Sequence, residues 1–191
     1  MEFRLLGPME VLHGETPVVL GGLKQRALLA RLLVSPNRTV AVDRLVDDLW
    51  GEAAPDSATK MVQIFVSQLR KALPDAVLVT RPPGYLVEVD QEAIDVGRFD
   101  RLRRTGHAAI EAGDAATAAQ RLREALALWR GEALAEFTEP FAQLERDRLD
   151  ELRLGCLEDR FQQRPRARWH PHPEGHGQGD CPGRHGHPHG P

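Results

Sequence analysis

In this chain of 191 residues, the side chains best suited to binding a ligand through hydrogen bonds and charge lie on a predicted helix over residues 55–73. Val62, Val66, Leu69 and Leu73 repeat at spacings of four, three and four, which predicts one buried face. The polar side chains that fall away from it could bond DNA: glutamine pairs with adenine, lysine or arginine with guanine or phosphate, and isoleucine meets a thymine methyl group. The candidate DNA-binding residues on this helix are Lys60, Gln63, Ile64, Ser67, Gln68, Arg70 and Lys71. A simple solvated helix face would show the same pattern.

The distribution of charge favours the DNA-binding interpretation locally, although the total does not. The chain has 25 Lys and Arg against 28 Asp and Glu, a net charge of −3, which excludes binding to nucleic acid through bulk basicity alone. Residues 57–81, however, contain four basic residues and one acidic residue. Positive charge is therefore concentrated where DNA would lie.

The elements around this helix predict a small sheet, three helices and a hairpin. Apolar runs at residues 3–6, 11–12 and 18–20 predict short antiparallel strands. Helical spacing follows over residues 23–33, and Asp43 is the predicted N-cap of a second helix that ends at Gly51.

Two β-rich runs at residues 77–80 and 85–89 then flank an Arg-Pro-Pro-Gly turn, which predicts a hairpin. This order is that of a winged helix-turn-helix, in which the third helix enters the major groove and the hairpin touches the DNA backbone or minor groove. The hairpin adds Arg81, Gly84 and Tyr85 to the candidate DNA-binding residues.

Residues 92–160, the helical segment, have the pattern of three further helices. The first begins near Asp95 and is broken by Gly113 and Asp114, and the third begins after Thr138 with Pro140 at its first position. Small residues beside a Gly-Asp turn are typical of a tetratricopeptide-like helix pair. We therefore predict an α+β winged helix-turn-helix domain over residues 1–91, followed by an all-α tetratricopeptide-like segment.

Residues 161–191 differ in composition from the rest of the chain. They contain six of the eight histidines, and no Leu, Ile, Val, Met or Phe follows Phe161. We predict a disordered tail. Two hypotheses remain open: a His-rich metal-binding segment, or, as we favour, an out-of-frame product of a GC-rich gene. An interrupted array of helices would leave Leu149, Leu152 and Cys156 partly uncovered, while the winged helix could fold alone.

Several sequence motifs of the chain resemble the AfsR/SARP family of actinobacterial transcriptional regulators in order and spacing. They are LKQRALLA at 23–30, NRTV at 37–40, DRLVDDLWG at 43–51, VQIFVSQLRKAL at 62–73, TRPPGYL at 80–86, DVGRF at 95–99 and ALALWRG at 125–131. One departure is Gln68, which stands where the family commonly has arginine and which removes a charge and a guanine contact.

The resemblance implies an OmpR/PhoB-like winged helix that binds direct repeats in promoters, followed by the start of a bacterial transcriptional activation domain. It further implies an activator of secondary-metabolite genes, with RNA polymerase as a partner and a homodimer on DNA. The alternative is a truncated, non-activating module that binds DNA or protein.

The remaining motifs favour neither an enzyme nor a membrane protein. We find no metal motif on a helix, no phosphate-binding loop and no nucleophile with a credible base, so we expect no catalysis and no cofactor. No apolar run approaches the roughly 20 residues of a membrane span, and no signal peptide is evident. With two cysteines only, a cytoplasmic protein is expected.

Overall fold

In the computed structural model, which describes residues 1–74 and 77–162, the chain begins with a three-stranded antiparallel sheet. Its strands are β1 (Glu2–Arg4), β2 (Glu10–His13) and β3 (Thr16–Pro17), in the order β1-β2-β3. The third strand therefore precedes the predicted run at residues 18–20. A tight turn at Gly14, which has a φ of +63°, places Thr16 opposite His13, so strand pairing begins earlier.

Three helices and a second sheet complete the winged helix. The helices are α1 (Leu23–Leu33), α2 (Val42–Trp50) and α3 (Ala58–Ala72). Gly51, with a φ of +57°, ends α2 as predicted, but Asp43 is not its N-cap. Ala41 takes that place, because residues 40–41 form an unpredicted strand and the helix begins directly after it. Asp43 lies instead in the first turn, where a negative charge suits the helix dipole.

The second sheet joins this unpredicted strand to the predicted hairpin. It contains β4 (Val40–Ala41), β5 (Leu78–Arg81) and β6 (Gly84–Val87), in the order β4-β6-β5. The hairpin turns through a cis peptide bond between Pro82 and Pro83. The winged helix-turn-helix architecture is thus confirmed. The hairpin of β5 and β6 forms the wing, and its strand β6 pairs with β4.

The helical segment contains α4 (Asp95–Glu111), α5 (Ala115–Leu126) and α6 (Pro140–Gln162). Gly113 has a φ of +75°, and the Asp114 side chain accepts a hydrogen bond from the Thr117 N–H at the start of α5. Gly106 lets α4 and α5 approach closely, because a Cβ there would lie 2.8 Å from Leu122. The tetratricopeptide-like pairing predicted from the Gly-Asp turn is confirmed.

The winged helix and the helical segment share one hydrophobic core. Leu134, Phe137, Phe141 and Ala142 are all buried in the cluster that contains α1, α2 and α3. Two backbone hydrogen bonds join the parts as well, from Arg130 N–H to the Leu6 carbonyl and from Leu134 N–H to the Leu5 carbonyl. This shared packing argues against our expectation that the winged helix folds alone.

Ion pairs and a buried carboxylate add to this junction. The Asp95 side chain, 1% exposed, accepts hydrogen bonds from the Leu5 and Leu6 N–H groups at 2.8–2.9 Å. Lys24 of α1 pairs with the buried Glu139 at 2.9 Å. The junction is therefore polar at its edges and apolar at its centre.

The exposed apolar face of α6 differs from the one we expected. Leu149 and Cys156 are buried and Leu152 is half-buried, because α4 and α5 already cover that side. The helix also continues through Gln162, so residues 161 and 162, which we assigned to the tail, belong to α6. Both hypotheses about the tail, and its predicted disorder, concern residues outside the described part of the chain. Among the described residues, no helix is long and apolar enough to cross a membrane.

Candidate nucleic-acid interface

The outer face of α3 carries most of the candidate DNA-binding side chains. Seven of them are solvent-exposed on this one helix, and Ile64 is 45% exposed despite being apolar. These residues are Lys60, Gln63, Ile64, Ser67, Gln68, Arg70 and Lys71. The structure therefore brings together donors, acceptors and one apolar contact along a single helical surface.

The inner face of α3 holds this surface in place. Val62, Val66 and Leu69 are at most 2% exposed and pack into the shared core. Phe65 stacks on Trp50 at the end of α2, with ring centroids 6.4 Å apart and planes inclined by 15°. This aromatic contact joins the two helices, and no pattern along the chain predicted it.

Arg70 connects α3 to the wing. Its Nε donates to the Leu78 carbonyl at 3.0 Å, and its Nη2 donates to the Thr80 hydroxyl at 2.7 Å. Two of the five N–H donors of its guanidinium are therefore used within the protein. We expect Arg70 to set the position of the wing relative to α3 more than to contact a base.

The three candidates on the wing have different surroundings. Arg81 is exposed at the end of β5, and Tyr85 is half-buried against the shared core. Gly84 is buried, and a Cβ at this position would lie 1.8 Å from the Val40 carbonyl oxygen. Close approach of β4 and β6 therefore requires a glycine at this position, and the contact of Gly84 with DNA stays a prediction.

Residues between α1 and α2 also position the wing, and sequence reasoning missed them. Asn37 has a φ of +62°, and its side-chain amide bonds both the N–H and the carbonyl of Val89. The Val42 N–H at the start of α2 donates to the Pro83 carbonyl in the wing turn at 3.2 Å. The tolerance of asparagine for left-handed backbone was the available signal.

The charges on this surface remain available to a ligand. Lys60, Lys71 and Arg81 have no ion-pair partner within residues 1–74 and 77–162, in contrast to most arginines of the helical segment. In the same described part of the chain, no group of three or more His, Cys, Asp or Glu is placed to hold a metal ion. The arrangement is thus suited to a polyanion that presents hydrogen-bonding edges.

Comparisons with known proteins match both parts of the fold. The family described as "Transcriptional regulatory protein, C terminal" matches residues 16–87, and the family described as "Bacterial transcriptional activator domain" matches residues 94–170. The regulatory protein AfsR of Streptomyces coelicolor is 41% identical over 162 residues, which are 84% of this chain and 16% of that protein. The chain belongs to the AfsR/SARP family of bacterial transcriptional regulators.

Other AfsR/SARP relatives agree in sequence and in structure. The regulatory protein DnrI of Streptomyces peucetius is 36% identical over 85% of this chain and 64% of its own length. The structure of Mycobacterium tuberculosis EmbR in complex with a low-affinity phosphopeptide superposes with a TM-score of 0.82 at 35% identity. That match covers 85% of this chain and 45% of EmbR. The chain thus spans less than two thirds of each of these relatives.

Proposed function

We propose that this protein is a sequence-specific DNA-binding activator of transcription whose helix α3 enters the major groove. The observation that carries the proposal is the outer face of α3, where glutamines, lysines and Ile64 are exposed. The opposite face of the same helix is buried. Glutamine can distinguish adenine through two hydrogen bonds, and lysine can neutralise phosphate. The similarity to transcriptional regulators supports the same assignment.

The wing supplies the second contact in this proposal. Arg81 reaches the flanking DNA backbone or the minor groove, and Tyr85 packs strand β6 against the shared core. Arg70 holds the wing at the distance that α3 requires, through its bonds to Leu78 and Thr80. The site therefore works as one rigid unit, with direct contacts from Lys60, Gln63, Ile64, Ser67, Gln68, Lys71 and Arg81.

The resemblance to the family supports finer features of the proposed activity. We propose binding to promoter direct repeats as a homodimer, activation of secondary-metabolite genes in the cytoplasm of an actinobacterium, and contact of the helical segment with RNA polymerase. Neither a catalytic step nor a cofactor forms part of this proposal. The chain would act by binding alone.

The test begins with selection of bound sites from a random DNA pool by the full chain. A labelled duplex of the selected sequence then serves for anisotropy measurements at several salt concentrations. We expect K60Q and K71Q to weaken binding to selected and random duplexes alike and to reduce the salt slope by about one unit each. Q63A and Q68A should change base preference, at a cost of about 1–3 kcal/mol for the selected site.

The matched control is R123Q, which removes a charge from the exposed side of α5. It should leave affinity and salt slope unchanged. If all four α3 variants bound as the wild type does, the recognition-helix assignment would be wrong. If selection returned a site but a reporter under that site showed no activation, the chain would be the non-activating alternative.

A further inference from the structure

The outer face of α6 is both apolar and acidic. Four large apolar residues are exposed on this helix: Leu144 at 69%, Leu154 at 57%, Leu157 at 37% and Phe161 at 70%. The opposite face is buried through Phe141, Leu149 and Cys156, so the three exposed leucines lie outside the buried packing of the segment. Exposed apolar groups in such a row are typical of an interaction surface.

Acidic side chains share the face with these apolar residues. Positions 144, 147, 151, 154, 158 and 161 follow spacings of three and four, so they form one stripe along the helix. Three of them are acidic, namely Asp147, Glu151 and Glu158, and Asp150 lies beside them; all four are exposed. The stripe contains no lysine or arginine.

Three of the four basic residues of α6 have partners outside this stripe. Arg146 bonds the carbonyls of the preceding loop and pairs with Glu132 at 2.9 Å. Arg148 pairs with Glu145, and the Arg153 guanidinium lies over the Trp129 ring at 4.6 Å. Within residues 1–74 and 77–162, Asp147, Asp150, Glu151 and Glu158 form no ion pair, so their negative charge is available to a partner.

We propose that this acidic stripe, defined by Leu144, Asp147, Asp150, Glu151, Leu154, Leu157 and Glu158, is the docking site of a cationic amphipathic helix on a partner protein. Apolar side chains of such a helix would cover the leucines, and its lysines or arginines would pair with the carboxylates. A second copy of this chain is disfavoured, because pairing like stripes sets carboxylates against carboxylates. The proposal goes beyond DNA binding and does not require it.

The probe for this site is a labelled, helix-forming peptide of about 15 residues, with lysine and leucine arranged on opposite faces. Two control peptides keep the pattern: one has glutamate in place of lysine, and the other has serine in place of leucine. Anisotropy with the full chain should show binding of the first peptide only. Both E151K E158K and L154S L157S should weaken it by about tenfold or more.

A matched control and a charge exchange keep the test decisive. E15K E88K makes the same change in charge at exposed sites in the winged helix and should bind the lysine peptide as the wild type does. E151K E158K should in turn acquire binding to the glutamate peptide. Equal binding of the lysine peptide by wild type and E151K E158K would overturn the proposal. So would a wild-type dimer, seen by sedimentation, that L154S L157S dissociates.

Discussion

Replacement of Asp95 tests how firmly the N-terminal sheet is joined to the helical segment. Its carboxylate accepts hydrogen bonds from the backbone N–H groups of Leu5, Leu6 and Val96, at 2.8–2.9 Å. Asp95 is 1% exposed, so water cannot replace the lost acceptor. D95A therefore leaves buried N–H groups without a partner, each at about 1–3 kcal/mol.

The two variants of this position should differ in a defined way. D95A leaves the backbone N–H groups of Leu5 and Leu6 without an acceptor, and we expect a loss of about 3–5 kcal/mol in the free energy of unfolding. D95N keeps one acceptor oxygen but turns an amide donor towards an N–H donor, so we expect about 2–3 kcal/mol. Against a typical stability of roughly 5–15 kcal/mol, either loss is large.

The pH dependence supplies a second readout for Asp95. Burial raises the pKa of this carboxyl, in opposition to the backbone hydrogen bonds, which lower it. A group with a raised pKa in the folded state contributes stability at low pH and loses that contribution as the pH rises through its folded-state pKa. The difference in stability between wild type and D95N should therefore be larger near pH 4 than at pH 7.

Urea unfolding of the full chain, followed by circular dichroism, measures both effects through the midpoint at constant m-value. D47N is the control, since Asp47 is exposed on α2, and it should change stability by less than about 0.5 kcal/mol. If D95A unfolded at the wild-type midpoint, the junction would not depend on this carboxylate. A gap between wild type and D95N that widened with rising pH would contradict the effect of burial.

Three further predictions concern other parts of the molecule. G84A should destabilise the protein by more than about 2 kcal/mol and weaken DNA binding, because its Cβ would collide with the Val40 carbonyl; thermal unfolding and anisotropy check this. The hydrogen bond from Arg4, with a smaller contribution from Arg98, lowers the pKa of Glu2 to about 2, so the stability that Glu2 contributes should be lost as the pH falls from about 4.5 towards 2, and E2Q should lack this dependence in acid titrations. Burial raises the pKa of the Cys156 thiol to about 11, so alkylation by iodoacetamide at pH 8 should be slow in the folded chain and rapid in urea, as followed by mass spectrometry.

Local patterns in the sequence predicted the elements whose burial repeats along the chain. The bounds of α1 and the buried stripe of α3 follow from spacings of three and four, and Gly51 and Gly113 end helices as their backbone freedom suggests. The candidate surface on α3 follows from the same periodicity, because the helix positions outside the buried stripe are exposed to solvent. Its contacts with DNA stay a prediction.

Structural features that depend on residues far apart in the sequence could not be predicted from local patterns. Asp43 was predicted to be an N-cap, but β4 pairs with a strand more than 40 residues later, so Ala41 is the N-cap and α2 starts at Val42. Gly84 looked like an exposed turn residue, although the same pairing buries it. Leu149 and Cys156 looked uncovered because their neighbours come from α4 and α5, which no spacing along α6 reveals.

The core shared across residue 91 has a consequence for exchange of parts within the family. A chimera cut at that position would remove Leu134, Phe137 and Phe141 from beneath α1 and α2 and would leave Asp95 without its backbone donors. Evolution or design that recombines regulators of this kind must therefore exchange the winged helix together with Asp95 and with the residues from Leu134 to the first turn of α6. The two parts must be inherited together because they share this junction. A new DNA specificity is therefore obtained more simply by changing the outer face of α3 than by exchanging whole domains.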